Sequence, residues 1–214
     1  MAGEPLSGVD KDEITLGVLD AVHGNSGLSQ RSLSRDLGIA LGLTNAYLRR
    51  CVRKGLVKVS QTPPNRYAYY LTPKGFSEKS RLTARYLKRS FEFYRDARGE
   101  LEALFLHCAE RGWGRAALSG GGELAEVAVL CAMRQGVDIA GIIDPRLSEP
   151  RFMGIAVVAT PGDLDAIDVL VITDLDRPLA MYESALAVMP AERILAPELL
   201  KLAPAGSGTE ATAP

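Results

Sequence analysis

The stretch SQRSLSRDLGIALGLTNAYLRRCVRKGLVKVS, residues 29–60, decides how the first part of this chain folds. Ser29 is a good N-cap for a short helix from Gln30 to Leu37, because its hydroxyl accepts a backbone N–H that the first turn leaves without a partner. Gly38 supplies the left-handed residue that ends this helix. After the turn Gly38-Ile39-Ala40, the spacing of Thr44, Leu48, Cys51 and Val52 turns one face of a helix from about Leu41 to Lys54 toward a core, and Gly55 closes it. Upstream, Asp12 to His23 puts Ile14, Leu16, Leu19 and Val22 near one helical face, with Gly24 and Asn25 as the stop. Downstream, Val57 to Thr62 and Arg66 to Leu71 read as two strands around Pro63-Pro64-Asn65, a turn that cannot continue a ladder.

Three helices followed by a hairpin is the order of an α+β winged helix-turn-helix, in which the second helix of the pair enters the major groove of duplex DNA. The charge supports that reading. The chain's net charge of -1 conceals a division: residues 1–98 carry 17 Lys and Arg against 9 Asp and Glu, and the rest carries 8 against 17. A basic half raises the local concentration of a polyanion, and an acidic half does not. With Thr44, Leu48 and Cys51 turned inward, the outward set on the third helix includes Leu43, Asn45, Tyr47, Arg49 and Arg50. Asn pairs in bidentate fashion with adenine and Arg with guanine, so Asn45 and Arg49 are the base-contact candidates. Arg50, Arg53, Lys54 and Lys58 suit phosphates, as does Arg31 at the start of the second helix, while Asn65 and Arg66 at the wing tip are placed for a flanking minor groove.

Thr72-Pro73 is an N-cap followed by proline at the first helical position, and a helical pattern runs from there to about Arg98. Leu87, Phe91 and Tyr94 continue at Leu101, Phe105 and Cys108 in steps of four and three, a spacing that predicts a dimerising coiled coil. The same spacing also suits packing of Leu101 to Cys108 on a second domain, with Gly99 as an interruption.

From Arg115 onward, short apolar strands alternate with helices: Ala116–Ser119, Ile139–Ile143, Ile155–Ala159, Val169–Thr173 and Arg193–Ala196 against Glu123–Arg134, Gly162–Ala166 and Leu179–Val188. That alternation predicts a Rossmann-like α/β parallel sheet with helices on both faces. Ser119-Gly120-Gly121-Gly122-Glu123-Leu124-Ala125 lies between the first of these strands and its helix and reads as Gly-x-Gly-x-x-Ala. There glycines permit a tight turn and a helix N-terminus holds phosphate. Asp144 ends the next strand, 22 positions after Gly122, near the spacing of about 20 expected of a ribose-binding carboxylate. Ser119, Gly120, Gly121, Gly122, Glu123, Leu124 and Asp144 are therefore the ligand-site candidates. Glu123 at the helix mouth would repel phosphate unless it points away. The ligand itself stays open among a nucleotide, a nucleotide-sugar, NAD and coenzyme A.

Two resemblances add to this. Ser29-Gln30-Arg31, Leu37-Gly38-Ile39, Gly42, Asn45-Ala46-Tyr47-Leu48 and Lys54-Gly55-Leu56-Val57-Lys58 resemble winged-helix regulators of MarR type associated with exopolysaccharide clusters. Tyr70-Leu71-Thr72-Pro73-Lys74-Gly75, followed by Glu78-Lys79 and Arg81-Leu82-Thr83, is similar to that subgroup's signature after the wing. The resemblance spans residues 10–98 and implies a dimeric DNA-binding regulator; Ala40 departs from it, standing where a capping Ser would be typical. Residues 114–200 resemble the small Rossmann-like domains of acyl-coenzyme A-binding proteins and of sugar-modifying acetyltransferases.

The implied division is a winged helix over 1–72, a linker or dimerisation helix over 73–112, a Rossmann-like domain over 113–202 and a disordered tail over 203–214. Cys51, Cys108 and Cys131 form no CxxC pair, and no apolar run approaches the roughly 18 residues that span a bilayer, so a reducing cytoplasm is expected without membrane contact. Cys51 reads as a core residue. His23 and His107 lie away from the strand ends, no Ser-His-Asp, Cys-His or metal-ligand spacing is present, and the acidic run at Asp163, Asp165, Asp168, Asp174 and Asp176 reads as helix-start and loop residues. The expectation is a homodimeric DNA-binding regulator with a nucleotide-like ligand, without catalytic residues or a metal. The alternative is an enzyme of nucleotide or sugar metabolism with an accessory winged helix.

Overall fold

A computed structural model describes residues 11–62 and 66–202, with the backbone only at Thr62 and Arg66. It divides into two compact units, residues 1–91 and 92–214.

The first unit begins with α1 (Lys11–Gly24), α2 (Gln30–Asp36) and α3 (Leu41–Arg53), followed by β1 (Val57–Thr62) and β2 (Arg66–Leu71). The caps expected from sequence are present. Ser29 accepts the Ser32 N–H, and Ser32 Oγ in turn accepts the Ser29 N–H, a reciprocal pair that satisfies two donors at the start of α2. Gly38 is left-handed at φ +62, which only glycine adopts without strain. Ala40 gives α3 no side-chain cap, but Thr44, itself buried, returns its hydroxyl to the Ala40 carbonyl. Val18, Leu19, Val22, Leu33, Leu48, Cys51, Leu56 and Val57 form the core, joined by Tyr69 from the wing and Leu82 from the next helix. The strands pair antiparallel from Val57 with Leu71 to Thr62 with Arg66.

α4 (Pro73–Glu110) is one unbroken helix and contributes to both units. Gly99 does not interrupt it: a Cβ there would meet nothing within 4 Å, so the residue costs helix propensity without marking a break. The predicted seam divides instead. Leu101, Phe105 and Cys108 are buried in the core of their own α/β unit, whereas Leu87 and Tyr94 are exposed. The lower half of the expected dimer stripe is therefore intrachain packing, because one face of the helix is taken by the sheet.

The second unit holds β3 (Arg115–Ser119), α5 (Glu123–Gln135), β4 (Asp138–Ile143), β5 (Arg151–Phe152), β6 (Ile155–Val158), β7 (Val169–Ile172), α6 (Pro178–Leu186) and β8 (Ile194–Leu195). The sheet order is β5-β6-β4-β3-β7-β8, parallel except for the antiparallel edge strand β5. Alternation builds its two faces. Ala116, Leu118, Val169 and Val171 face α5 and residues Ala97 to Cys108 of α4; Ala117, Leu170 and Ile172 face Ala185, Met181 and Tyr182 of α6. The strand β5 was not legible in the sequence: two residues are too few for periodicity, and it is held by the turn at Met153 and Gly154, both at positive φ. The helix expected over Gly162–Ala166 is only a 3₁₀ turn, Pro161–Asp163, capped reciprocally by Thr160 and Asp163. The tail over 203–214 lies outside the described residues. No described helix is long and apolar enough to cross a membrane.

Candidate nucleic-acid interface and strand-end cavity

Helix α3 presents the basic row that the sequence suggested. Leu43, Arg49, Arg50, Arg53 and Lys58 are exposed, as is Arg31 on α2. Among the described residues, Arg49, Arg50 and Arg53 have no carboxylate within ion-pair distance, so their charge is available to phosphate or a base edge. Two members of the predicted set differ. Tyr47 is half-buried and packs against the core, so only part of its side chain is open to contact. Asn45 is half-buried, and its Oδ1 is covered without a hydrogen-bond partner. A bidentate grip on adenine needs both Oδ1 and Nδ2, so that contact requires a change of rotamer. Asn65 lies outside the described residues, and of Arg66 only the strand backbone is described.

The motif after the wing has a mechanical role that no sequence pattern exposes. The Thr72 hydroxyl caps α4 by accepting the Gly75 N–H at 3.0 Å, and it donates to the carbonyl of Gly55 at 2.7 Å, at the end of the recognition helix. Lys74 Nζ donates to the Lys54 carbonyl at 3.0 Å, another orphan acceptor of the same helix end. A Cβ on Gly75 would stand 2.0 Å from the Leu56 carbonyl oxygen, so glycine is what lets α4 approach. Thr72, Lys74 and Gly75 thus hold the recognition helix against the first turn of α4.

Cys51, on the inward face of α3, is fully buried; burial pushes its thiol up to about 11 despite the nearby charges of Lys54 and Arg50. It is a protonated core residue and a poor nucleophile. Burial likewise raises Cys108, to about 11, and Cys131.

In the second unit β3 is central. β4 and β6 lie to one side of it and β7 and β8 to the other, so the direction of winding reverses between β3 and β7. In open α/β sheets ligands bind at the carboxyl ends of the strands beside such a reversal. A cavity of about 290 Å³ lies there, lined by Gly121, Gly122, Glu123, Asp144, Arg146, Leu147 and the run Thr173 to Asp176. Four of the seven predicted ligand-site residues line it: Gly121, Gly122, Glu123 and Asp144. Leu124 does not, because it is buried in the core under α5. Gly120 is left-handed at φ +105 and a Cβ on it would stand 2.6 Å from the backbone nitrogen of Asp174; its role is close packing of β3 on the loop after β7. Ser119 lines a separate, more apolar cavity of about 250 Å³ with Met181, Ser184 and Ala185. Gly122 is extended at φ 178, with open space around a Cβ, so nothing in the fold demands glycine there.

The charge in the cavity is the reverse of what a phosphate needs. Asp144 Oδ2 accepts the Gly121 N–H at 3.1 Å, so this amide of the glycine turn is already engaged. Arg146 forks onto Asp144, Nε to Oδ1 and Nη2 to Oδ2, both at 3.1 Å, and Nη2 also donates to Asp174 Oδ2. Burial pushes the Asp144 carboxyl up, but the Arg146 guanidinium and the amides of Gly121 and Arg146 outweigh burial and hold it below its ordinary value. Arg146 is raised in turn, first by its side-chain hydrogen bond to Asp144 and then by the charges of Asp144, Asp174 and Asp176. Sequence reasoning does not find Arg146 or Asp174: Asp174 reads as a loop residue, and nothing in Asp-Pro-Arg shows that the guanidinium folds back across two strand ends. No group of three or more His, Cys, Asp or Glu among the described residues is disposed to hold a metal ion.

Residues 11–58 match the winged helix-turn-helix DNA-binding family. The first unit is a DNA-binding winged helix-turn-helix domain. Solved structures similar to this chain include the PcaV transcriptional regulator of Streptomyces coelicolor in complex with its natural ligand, at 24% identity, 41% of this chain, 62% of that chain and a TM-score of 0.35. A MarR family transcription regulator, SP03579, matches at 20% identity over 41% of this chain and 58% of its own, with a TM-score of 0.35. FabT of Streptococcus pneumoniae in complex with DNA matches at 22% identity over 44% of this chain and 65% of its own, with a TM-score of 0.32. The chain thus covers less than two thirds of the length of each of these. No curated protein matches it.

Proposed function

We propose that this protein is a homodimeric, sequence-specific transcriptional regulator of the cytoplasm, in which the winged helices bind a roughly palindromic site and a small ligand in the strand-end cavity tunes that binding. The observation that carries the DNA-reading part is the exposed row Arg49, Arg50 and Arg53 on a helix whose family match is to DNA-binding domains. Dimerisation is supported by exposed apolar side chains on α4, among them Tyr86, Leu87, Phe93 and Tyr94. Ligand tuning is supported by the cavity's place at the winding reversal, the position in which such sheets take nucleotide-like molecules. A ligand acts on DNA affinity only by binding one dimer arrangement better than the other.

The reading includes no catalytic step. Asp144 and Asp174, the buried carboxylates at the strand ends, are spent on Arg146 and backbone amides. The enzyme reading has those same two carboxylates in its favour and requires that one of them be released.

The test is binding of the full chain to fragments of its own genomic neighbourhood across a salt series, for wild type, Arg49→Ala and Gly122→Val. Binding that is sequence-specific, falls steeply with salt and is weakened in Arg49→Ala supports the regulator. Gly122→Val has room to fold and fills the cavity mouth, so it should bind DNA and lose any ligand response. Binding no better than that to random DNA overturns the reading.

A further inference from the structure

We infer that the second cavity of the α/β unit, at the end of β3 beside α6, is a site for a small uncharged molecule with a compact apolar frame and one hydroxyl. It is separate from the strand-end cavity of the proposed function, and either can hold a ligand without the other.

The cavity exists because one face of the sheet is thinly covered. Alternation along β3 sends Ala117 and Ser119 to the side of α6, together with Ile143 of β4 and Leu170 of β7. Helix α6 covers part of that side through Met181 and Ala185. The chain between β6 and β7 passes over the rest, and there the helix expected from sequence is only the 3₁₀ turn Pro161–Asp163. Three residues cannot fill the space a helix would, and about 250 Å³ stays open between Pro161 and α6. Ser119, Ile143, Leu170 and Ala185 are buried, whereas Thr160 and Ser184 are exposed, so the cavity reaches from solvent down to the sheet.

Ser119 points to an occupant. It is 5% exposed, yet its hydroxyl has no hydrogen-bond partner among the described residues. The neighbouring strand end differs: Thr173, 2% exposed, donates its hydroxyl to the Gly120 carbonyl at 2.6 Å. Buried polar groups are as a rule partnered, and Thr173 follows that rule within the protein. The Ser119 hydroxyl faces the cavity instead, which leaves it for a group held there.

The lining sets the chemistry of that group. No residue around the cavity carries a charge, so a phosphate or carboxylate would lose its hydration without compensation. Ile143, Pro161, Leu170 and Met181 offer an apolar surface to a hydrocarbon frame, and Ser119 offers one hydrogen bond to a hydroxyl. A cavity of about 150 Å³ lined by aliphatic and aromatic side chains holds benzene, so about 250 Å³ has room for one six-membered ring with its hydroxyl.

The test follows the methionine methyl groups of the full chain by NMR, in wild type, Ser119→Ala and Ser184→Phe, during titration with cyclohexanol, benzene and cyclohexanecarboxylate. Met181 lines the cavity, whereas Met133 and Met153 are exposed elsewhere and report non-specific contact. Cyclohexanol should shift the Met181 methyl saturably and leave Met133 and Met153 in place. Ser119→Ala should weaken cyclohexanol about fivefold, the worth of one neutral hydrogen bond, and leave benzene unchanged. Ser184→Phe fills the edge from an exposed helix position and should weaken both by about tenfold, within the range that overpacking costs. The carboxylate should bind none of the three proteins. No saturable shift at Met181 overturns the inference, as do equal shifts at Met133 and Met153 or carboxylate binding tighter than cyclohexanol. Unchanged cyclohexanol affinity in a folded Ser119→Ala overturns it as well. If Ser119→Ala does not fold, Ser184→Phe decides: weakened binding supports the inference and unchanged binding overturns it.

Discussion

Arginine does opposite work in the two units. On α3, Arg49, Arg50 and Arg53 are exposed, with no carboxylate in ion-pair reach among the described residues. At the strand ends of the α/β unit, Arg146 is bound to two buried carboxylates before any partner arrives. The first arrangement is a surface built for an external anion. The second is a closed electrostatic unit that an external anion would have to break. Counting charges along the chain anticipates the first and not the second, because a count does not say which charges are already paired.

The contrast can be broken most severely at the pair. Asp144→Ala should destabilise the α/β unit by about 3 kcal/mol, since removing one partner of a buried ion pair leaves the other uncompensated, and the partly exposed Arg146 keeps the cost at the low end. Chemical denaturation checks it; a change below about 0.5 kcal/mol, ordinary for surface substitutions, would place the pair with exposed ion pairs. Gly75→Ala should cost about 2 kcal/mol in the winged helix, as overpacking against the Leu56 carbonyl forces α4 away from the recognition helix. Denaturation followed at the aromatic residues of that unit reads this. Arg49→Ala should leave stability unchanged and weaken specific DNA binding by about 1–3 kcal/mol, roughly five- to 150-fold, in a titration at fixed salt.

Acid sharpens the comparison with a smaller effect. Asp144 ordinarily titrates at 3.8 and is held lower in the fold, so it contributes stability that is fully present above 3.8 and is lost as pH falls through the folded value. The difference in midpoint between wild type and Asp144→Asn should shrink below about pH 4 and be constant above pH 5. The smallest effect is expected at Cys51. With its thiol raised to about 11, alkylation of native protein at pH 8 should be negligible and mild oxidant should leave DNA binding unchanged.

The winged helix was legible because each of its signals is local. Ser29, Gly38 and Gly55 mark ends, and the phase of Thr44, Leu48 and Cys51 turns one side of α3 inward and leaves Arg49 and Arg50 outside. The strands β3, β4 and β7 were legible for the same reason, as apolar runs bounded by turns. The paths of α4 and of the cavity were not. Leu101, Phe105 and Cys108 carry the same spacing whether they meet a second copy or their own sheet, and periodicity records a buried face without naming its cover. Gly120, Gly121 and Gly122 look equivalent in a motif. In space the first packs on Asp174, the second has Leu147 against it and donates its N–H to Asp144, and the third faces open space.

By itself the sequence determined the order of α1 to α6 and of every strand but β5, the basic face of α3 and the placement of a glycine turn and Asp144 at strand ends, since all of these follow from caps, periodicity and side-chain chemistry within a few residues. Tertiary structure alone decided that Arg146 lies across Asp144 and Asp174, that Leu124 belongs to the core, and that Thr72, Lys74 and Gly75 hold the recognition helix. Apart from the Arg146–Asp144 bond, those outcomes join residues 17 to 28 positions apart or set one face of a helix against a sheet, and such pairings depend on how strands are ordered and helices packed, which no local pattern encodes.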